Sequence, residues 1–363
     1  MQAVSMQAFR SGCMKPGMAA ESTPMPPAFA TAEARPDMEM PTQESRQVLP
    51  DFLSREDAVY NIGRAALMVA ALVILLTTGV NFFRFTNLLN IARSFSMLGI
   101  AALGQTVVII AGGLDLSVAE VVSTANVFAA TFMAGKNSLF LPITLLTLAF
   151  GAVVGLFNGV LITKRNVPPF VATLGSAIVL RGVRLLWTKG LPRGHIPENL
   201  NRLGIGTTLG VPNLFYVFVI AAVLMAVMLN RMGYGRRLYA LGNNRAVATL
   251  SGIRSDRVVI LAFVICSVTA AFVGILLGGY TNMSDQKIGE GYELDTIAIA
   301  VLGGAAIGGG SGSVQGTVIG AVILLVLTNL SLLMGFPIQS QMMIKGVVII
   351  LALWLNAQRT KKA

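Results

Sequence analysis

The sequence predicts an all-α polytopic membrane protein with about ten transmembrane helices. Three observations predict it. The chain of 363 residues is 55% hydrophobic and only 12% charged, about half the charge of an ordinary soluble domain. That composition cannot cover a surface in water and needs lipid as solvent. From Arg64 onward, apolar segments follow one another at the length of about 20 residues that a helix needs to cross a bilayer. They are continuously apolar rather than alternating, which excludes the outer-membrane barrel pattern. Lastly, Lys and Arg collect in every second connection between the segments, as orientation in a membrane requires.

The elements follow in order. Residues 1–56 are rich in Met, Pro, Ala and Glu and have no apolar period, so we expect a disordered cytoplasmic tail. They contain no apolar h-region, so no signal peptide is expected. Phe9 to Cys13 lacks the apolar run that a lipoprotein site needs, and Met18, Met38 and Met40 are alternative starts. The transmembrane domain is expected over 57–363. Its spans read as 65–83, 93–111, 117–134, 139–162, 168–187, 212–230, 258–280, 293–308, 313–334 and 338–356.

With the N-terminus inside, the connection after the sixth span holds Arg231, Arg236, Arg237, Arg245, Arg254 and Arg257 against Asp256 alone. Lys164, Arg165 and the tail residues Arg359, Lys361 and Lys362 also fall inside. The opposite connections hold Lys136, then Lys189, Arg193 and Arg202, then Lys287 among Asp285, Glu290 and Glu293. Ten spans with both termini cytoplasmic satisfy this asymmetry. They divide at 188–211 into two five-span halves, and an odd number per half gives opposite orientations, as in inverted repeats. The Gly-rich breaks follow span two and span eight, which are not matching places.

The net charge of +11 lies in these short connections. It is accounted for by anionic lipid headgroups, with no call for nucleic acid. Two cysteines, one in the tail and one in an apolar run, make a disulfide implausible. His195, beside Gly194 and Pro197, has no companions for a metal set and reads as a loop residue. No metal or cofactor is expected.

Three stretches carry chemistry. Gly112-Gly113-Leu114-Asp115-Leu116-Ser117 interrupts two apolar runs. Asp115 and Ser117 suit a helix cap, while a carboxylate at membrane depth is also a substrate-contact candidate. The glycines at 303–312 form a second break. No Lys-Ser/Thr completes a nucleotide-binding loop there, so the chain is not expected to hydrolyse ATP alone. The stretch 235–253 is too polar to insert. It contains a helix-like piece from Arg245 to Leu250, bounded by Gly242-Asn243 and Ser251-Gly252, which suits either partner docking or a solvated basic loop. Asn126, Asn158, Thr173, Ser176 and Asn329 are polar positions in apolar spans. They suit a lining of the path or bonds between helices.

Four stretches now carry a specific resemblance: GGLDLSV at 112–118, NGVLITKRNVPPFVATLGSAIVLRG at 158–182, GRRLYALGNNRAVATLSGI at 235–253, and GYELDTIAIAVLGGAAIGGGSGSVQGT at 291–317. From about residue 60 to the end, the chain resembles the integral-membrane subunits of bacterial ribose, xylose, arabinose, galactose and autoinducer-2 ABC importers. The resemblance implies an inner-membrane permease served by a periplasmic sugar-binding protein, a second permease subunit and a cytoplasmic ATP-binding subunit. It implies a docking loop with Arg236, Arg237, Gly242, Asn243, Ala246, Ala248, Ser251 and Gly252. It also implies a break or path with Gly112, Gly113, Asp115 and Ser117, and a span-five entry with Pro168, Pro169, Phe170 and Thr173. Departures from the family pattern are Ala119-Glu120, Asn244 and Ala305. The alternative is an ion-coupled secondary transporter, in which Asp115, Glu120, Arg181 and Arg184 would form the intramembrane relay.

Overall fold

The computed structural model describes residues 82–360. The tail at 1–56, Cys13 and nearly all of the first expected span, 65–83, lie outside these residues. The described chain is built almost entirely of helices, with one two-residue hairpin pairing Thr207–Thr208 and Val211–Pro212. The all-α polytopic expectation is borne out. Six helices are long and apolar enough to cross a membrane by length and composition, among the described residues.

The centre of the fold is a pair of long helices. α1, Phe85–Ile110, is buried without interruption from Phe95 to its end. α9, Ser255–Thr281, packs against α1, α2 (Val118–Met133) and α3 (Phe140–Lys164). The approach of α3 to α9 rests on spacing in the sequence. Gly151, Gly155 and Gly159 fall four apart on one face. A Cβ at these positions would meet Ser267 O at 2.7 Å, Val264 Cα at 2.6 Å and Ile260 Cα at 2.7 Å respectively. Small residues at that interval let two helices touch backbone to backbone, which is how helices associate where lipid removes the hydrophobic drive.

Outside this centre the apolar character points outward. α3, α4 (Pro169–Thr188) and α6 (Asn213–Asn230) expose Leu, Val, Ile and Phe along most of their length. Such surface is tolerable only against lipid or another apolar protein face. A short helix α5, Glu198–Ile205, covers the ends of α9 and α6. His195 is an exposed loop residue, as expected, and its backbone bonds Ala130 and Gly135.

Two expected elements differ. The span at 293–308 is not one helix. α10 covers only Tyr292–Leu302, and the rest is irregular up to α11, Val314–Leu333. The glycines at 303, 304 and 308–310 explain the stop, with Gly304, Gly309 and Gly310 at positive φ. The connection before α10 also does not loop away: Asp285 N donates to Asn126 Oδ1 and Gly289 N to Ser123 Oγ, each at 3.0 Å, so it lies along α2. The second difference is in the stretch 235–253. It forms two helices, α7 at Gly233–Asn243 and α8 at Arg245–Leu250, divided at Asn244. The last helix, α12, spans Ile338–Thr360.

Candidate functional site

The first break is held by a chain of buried side chains. Two residues past the end of α1, Gly112 turns the backbone away with a φ of 81°. Asp115 is fully buried, and its Oδ1 accepts from Ser117 N at 2.8 Å and from Ser117 Oγ. Asp115 thus holds the turn before α2, and Ser117, at the N-cap of α2, makes no side-chain cap bond of its own. Ser117 Oγ accepts from Asn158 Nδ2 at 3.1 Å, and Asn158 Oδ1 accepts from Ser176 Oγ. Beside them Thr173 Oγ1 accepts from Leu116 N and donates to the carbonyl of Pro169, the first residue of α4. Gln105 of α1 brackets the Asp115 peptide with two bonds of 3.2 Å, in the amide orientation that satisfies both atoms. Asp115, Ser117, Asn158 and Thr173 thus meet in one network joining the break to α3 and α4.

The second break folds onto the first. Gly310 N donates to Ile110 O at 3.0 Å. Ser313 restarts the chain as α11 by accepting from Gly316 N at 3.0 Å. Deeper in the core, the Thr106 and Thr317 hydroxyls share a bond of 2.7 Å between α1 and α11.

α7 lies directly on both breaks. A Cβ on Gly242 would meet Gly310 Cα at 2.9 Å, with Gly310 N and Ile110 O nearer still. Only a residue without a side chain fits there. Asn243 packs beside Gly310, and the Tyr239 hydroxyl donates to Gly312 O at 2.8 Å. Burial pushes the Tyr239 phenol above its ordinary value, which keeps it a donor. α8 then turns outward. Asn244 Oδ1 accepts from Ala246 N and Val247 N and so caps α8; Asp would do the same work, which accounts for the departure noted there. Ala248 is buried beneath α8, whereas Arg236, Arg237, Ala246, Ser251 and Gly252 are exposed. Leu250 is 89% exposed and Val247 56%.

The remaining positions lie elsewhere. Asn126 is buried between α2 and α9, donating to Gly274 O, and it holds the 282–291 connection. Asn329 of α11 and Asn87 of α1 exchange reciprocal amide bonds of 3.0 and 3.1 Å. Phe170 is exposed on α4, one residue from Pro169. Gly113 packs against the Phe263 ring. Glu120 does not join Asp115. It pairs with Arg184 at 2.7 Å, a close contact without hydrogen-bond alignment, and the Arg184 side chain is only 3% exposed. Arg184 also donates to Thr124 Oγ1 and Gln286 Oε1, so it ties α4 to α2 and to the connection before α10. Asp295 pairs with Lys345 of α12 at 2.7 Å. Gln286, in a connection, carries no signal of its own in the sequence, whereas Asp295 and Lys345 are charges inside apolar spans, which is a readable signal.

Comparison with known proteins agrees with this architecture. The family model described as branched-chain amino acid transport system / permease component matches residues 87–353. The ribose import permease protein of Escherichia coli strain K12 is 36% identical over 296 residues, 80% of this chain and 92% of the relative. The ribose import permease protein of Bacillus subtilis strain 168 is 35% identical over 282 residues, 77% of this chain and 87% of the relative. The galactose/methyl galactoside import permease protein of Haemophilus influenzae is 32% identical over 328 residues, 85% and 96% respectively. No solved structure matches the chain. With six helices among the described residues fit to span a membrane, two backbone breaks closed on each other and this match over most of its length, the chain belongs to the family of transport-system permease components.

Proposed function

We propose that the chain is the sugar-translocating permease subunit of an ATP-driven, binding-protein-dependent importer in the bacterial inner membrane, with both termini cytoplasmic. The observation that carries this reading is α8. A six-residue helix outside the membrane-crossing helices turns Leu250 and Val247 outward, on an element that α7 seats against both breaks. Isolated apolar side chains on a polar loop gain nothing in water, but they suit a groove on a separate ATP-binding subunit. Movement of that subunit would reach both breaks through Gly242. The named substrates of the relatives support a monosaccharide or related compound as cargo.

A second permease subunit is supported by α4. Arg181 is exposed in this apolar helix and has no hydrogen bond or ion pair among the described residues. It stands seven residues from the helix end, about 10 Å at the helical rise. A charge facing hydrocarbon costs about 2.5–3.5 kcal/mol or more. Water in a path, or a neighbouring subunit, relieves that cost. The ion-coupled alternative is not favoured: Glu120 and Asp295 are held by Arg184 and Lys345, and Asp115 by Ser117, so these acids are not arranged as a relay.

The test is pull-down of the ATPase by tagged permease. Ala246→Glu puts a charge on the exposed face of α8, where desolvating it at a contact costs several kcal/mol. We expect normal insertion, lost ATPase association and lost uptake. Undiminished association and uptake would make the loop a topological anchor only. Concentrative uptake by the chain alone under an imposed ion gradient would overturn the importer reading.

A further inference from the structure

A cavity of about 510 Å³ opens beside the α7–α8 element, at the start of α9. Its rim is basic: Arg237, Arg254 and Arg257 line it, and no acid does. Asp256, between Arg254 and Arg257 in sequence, is already taken by Lys164 at 2.6 Å and by Arg245 at 3.5 Å. The three lining arginines make no ion pair among the described residues. Three like charges gathered without a counter-ion among the described residues repel one another, so the arrangement suits an anionic ligand.

Part of the lining is apolar. Val258 and Leu261 lie one turn along α9 from the arginines, and Leu261 is exposed on the flank of this apolar 27-residue helix. Arg257 and Leu261 fall four residues apart, on one stripe. The hydroxyl of Tyr234, also in the lining, donates to Val258 O at 3.2 Å. The cavity therefore grades from cationic to apolar over about 6 Å, along a helix that enters the membrane. A free phosphate would use only half of it.

We propose that this cavity is a binding site for an anionic phospholipid, its phosphodiester held by Arg237, Arg254 and Arg257 and its first acyl carbons laid along Val258 and Leu261. Basic pockets at the ends of membrane helices recognise such headgroups by general electrostatics. Arginine forks suit phosphate oxygens better than lysine would. The site goes beyond the transport reading and does not depend on what is carried. Arg237, Ser251 and Gly252 of the expected docking loop also line the cavity, so a bound lipid would sit within reach of the partner subunit.

The experiment is native mass spectrometry of the full chain, with dioleoyl phosphatidylglycerol against dioleoyl phosphatidylethanolamine. We expect selective retention of phosphatidylglycerol, falling about tenfold for each arginine removed in Arg254→Gln and Arg257→Gln. Leu261→Trp keeps every charge but fills the apolar wall, so it tests the lipid directly even if the arginine variants fold poorly, and it should also weaken retention. Arg231→Gln, in the same basic connection but off the cavity, should not. Equal retention by wild type and the Arg254/Arg257 double variant would overturn the proposal, as would an equal loss in Arg231→Gln. Full displacement by inorganic phosphate with no effect of Leu261→Trp would assign the site to a free anion and overturn the lipid. Unchanged lipid retention with lost ATPase association would assign the cavity to the partner subunit instead.

Discussion

Gly242→Ala is the sharpest test of how α7 meets the two breaks. In an ordinary helix this change stabilises by up to about 1 kcal/mol. Here the new methyl would stand 2.9 Å from Gly310 Cα and closer still to Gly310 N and Ile110 O. Those last two atoms are joined by the 3.0 Å hydrogen bond that closes the breaks on each other, so the methyl enters that bond as a wedge. Ordinary carbon contacts need about 3.5 Å or more, so at least 0.5 Å of backbone movement is required. Overpacking of this kind costs about 1–3 kcal/mol, and a lost hydrogen bond adds about 1 kcal/mol. After the propensity gain the net loss is about 1–3 kcal/mol. The assay is thermal unfolding of the purified chain in nanodiscs, beside sugar uptake in cells. Gly233→Ala is the control, because it lies in the same helix with its nearest neighbour at 3.8 Å. We expect a lower melting temperature and impaired uptake for Gly242→Ala, and neither for Gly233→Ala. A Gly242→Ala protein that melts at or above wild type and transports normally would refute the three-way contact.

Three further predictions follow from buried polar groups. Asp115→Asn should leave uptake nearly intact, because the amide oxygen still accepts from Ser117 N, whereas Asp115→Leu should lose expression and uptake; equal damage would mean the negative charge is needed. Glu120→Leu should destabilise the protein by about 3–5 kcal/mol by stranding the buried Arg184, and Glu120→Leu with Arg184→Met should recover much of that in the same melt; no recovery would mean the pair is not the unit. Asn329→Ala removes both reciprocal bonds and should cost only about 0.6–1.7 kcal/mol, the range for one interhelical polar side-chain pair in a membrane, and a double cycle with Asn87→Ala should give the coupling; additive losses would deny the reciprocal amide pair.

Much of the fold was legible in the sequence because lipid is a demanding solvent. Runs such as 139–162 and 258–280 have no reading in water, and α3 and α9 lie where they do. The α8 helix was legible to the residue, since Arg245 to Leu250 is short, lies in a stretch too polar to insert and is bounded by turn formers. The stop inside 293–308 was not, because hydropathy averages over glycine, which counts as neither apolar nor charged. The break glycines were visible, but not that they close on each other: Gly310 N reaching Ile110 O joins positions 200 residues apart, and nothing local encodes that. Asn158 and Thr173 read equally as path lining or as helix glue, and only their partners, Ser117 and Leu116, tell which role they take in this conformation. The Gly151, Gly155, Gly159 ladder was available as a four-residue repeat and went unread.

The short α10 has a consequence for how the chain is made. Eleven residues rise about 16 Å, roughly half of a hydrocarbon core. With Glu293 and Asp295 in its first turn, this helix is a poor candidate for insertion by hydropathy alone as it leaves the ribosome. It gains a seat only from elements already in place. α2 receives the 282–291 connection through Asn126 and Ser123, and these are synthesised well before it. The charge of Asp295, however, is answered by Lys345, which lies on the final helix. Synthesis thus leaves one buried carboxylate uncompensated until the last span has threaded. Chains released before residue 345 would carry that unpaid charge within the bilayer. The seat of α10 is therefore complete only once residue 345 has been made and packed.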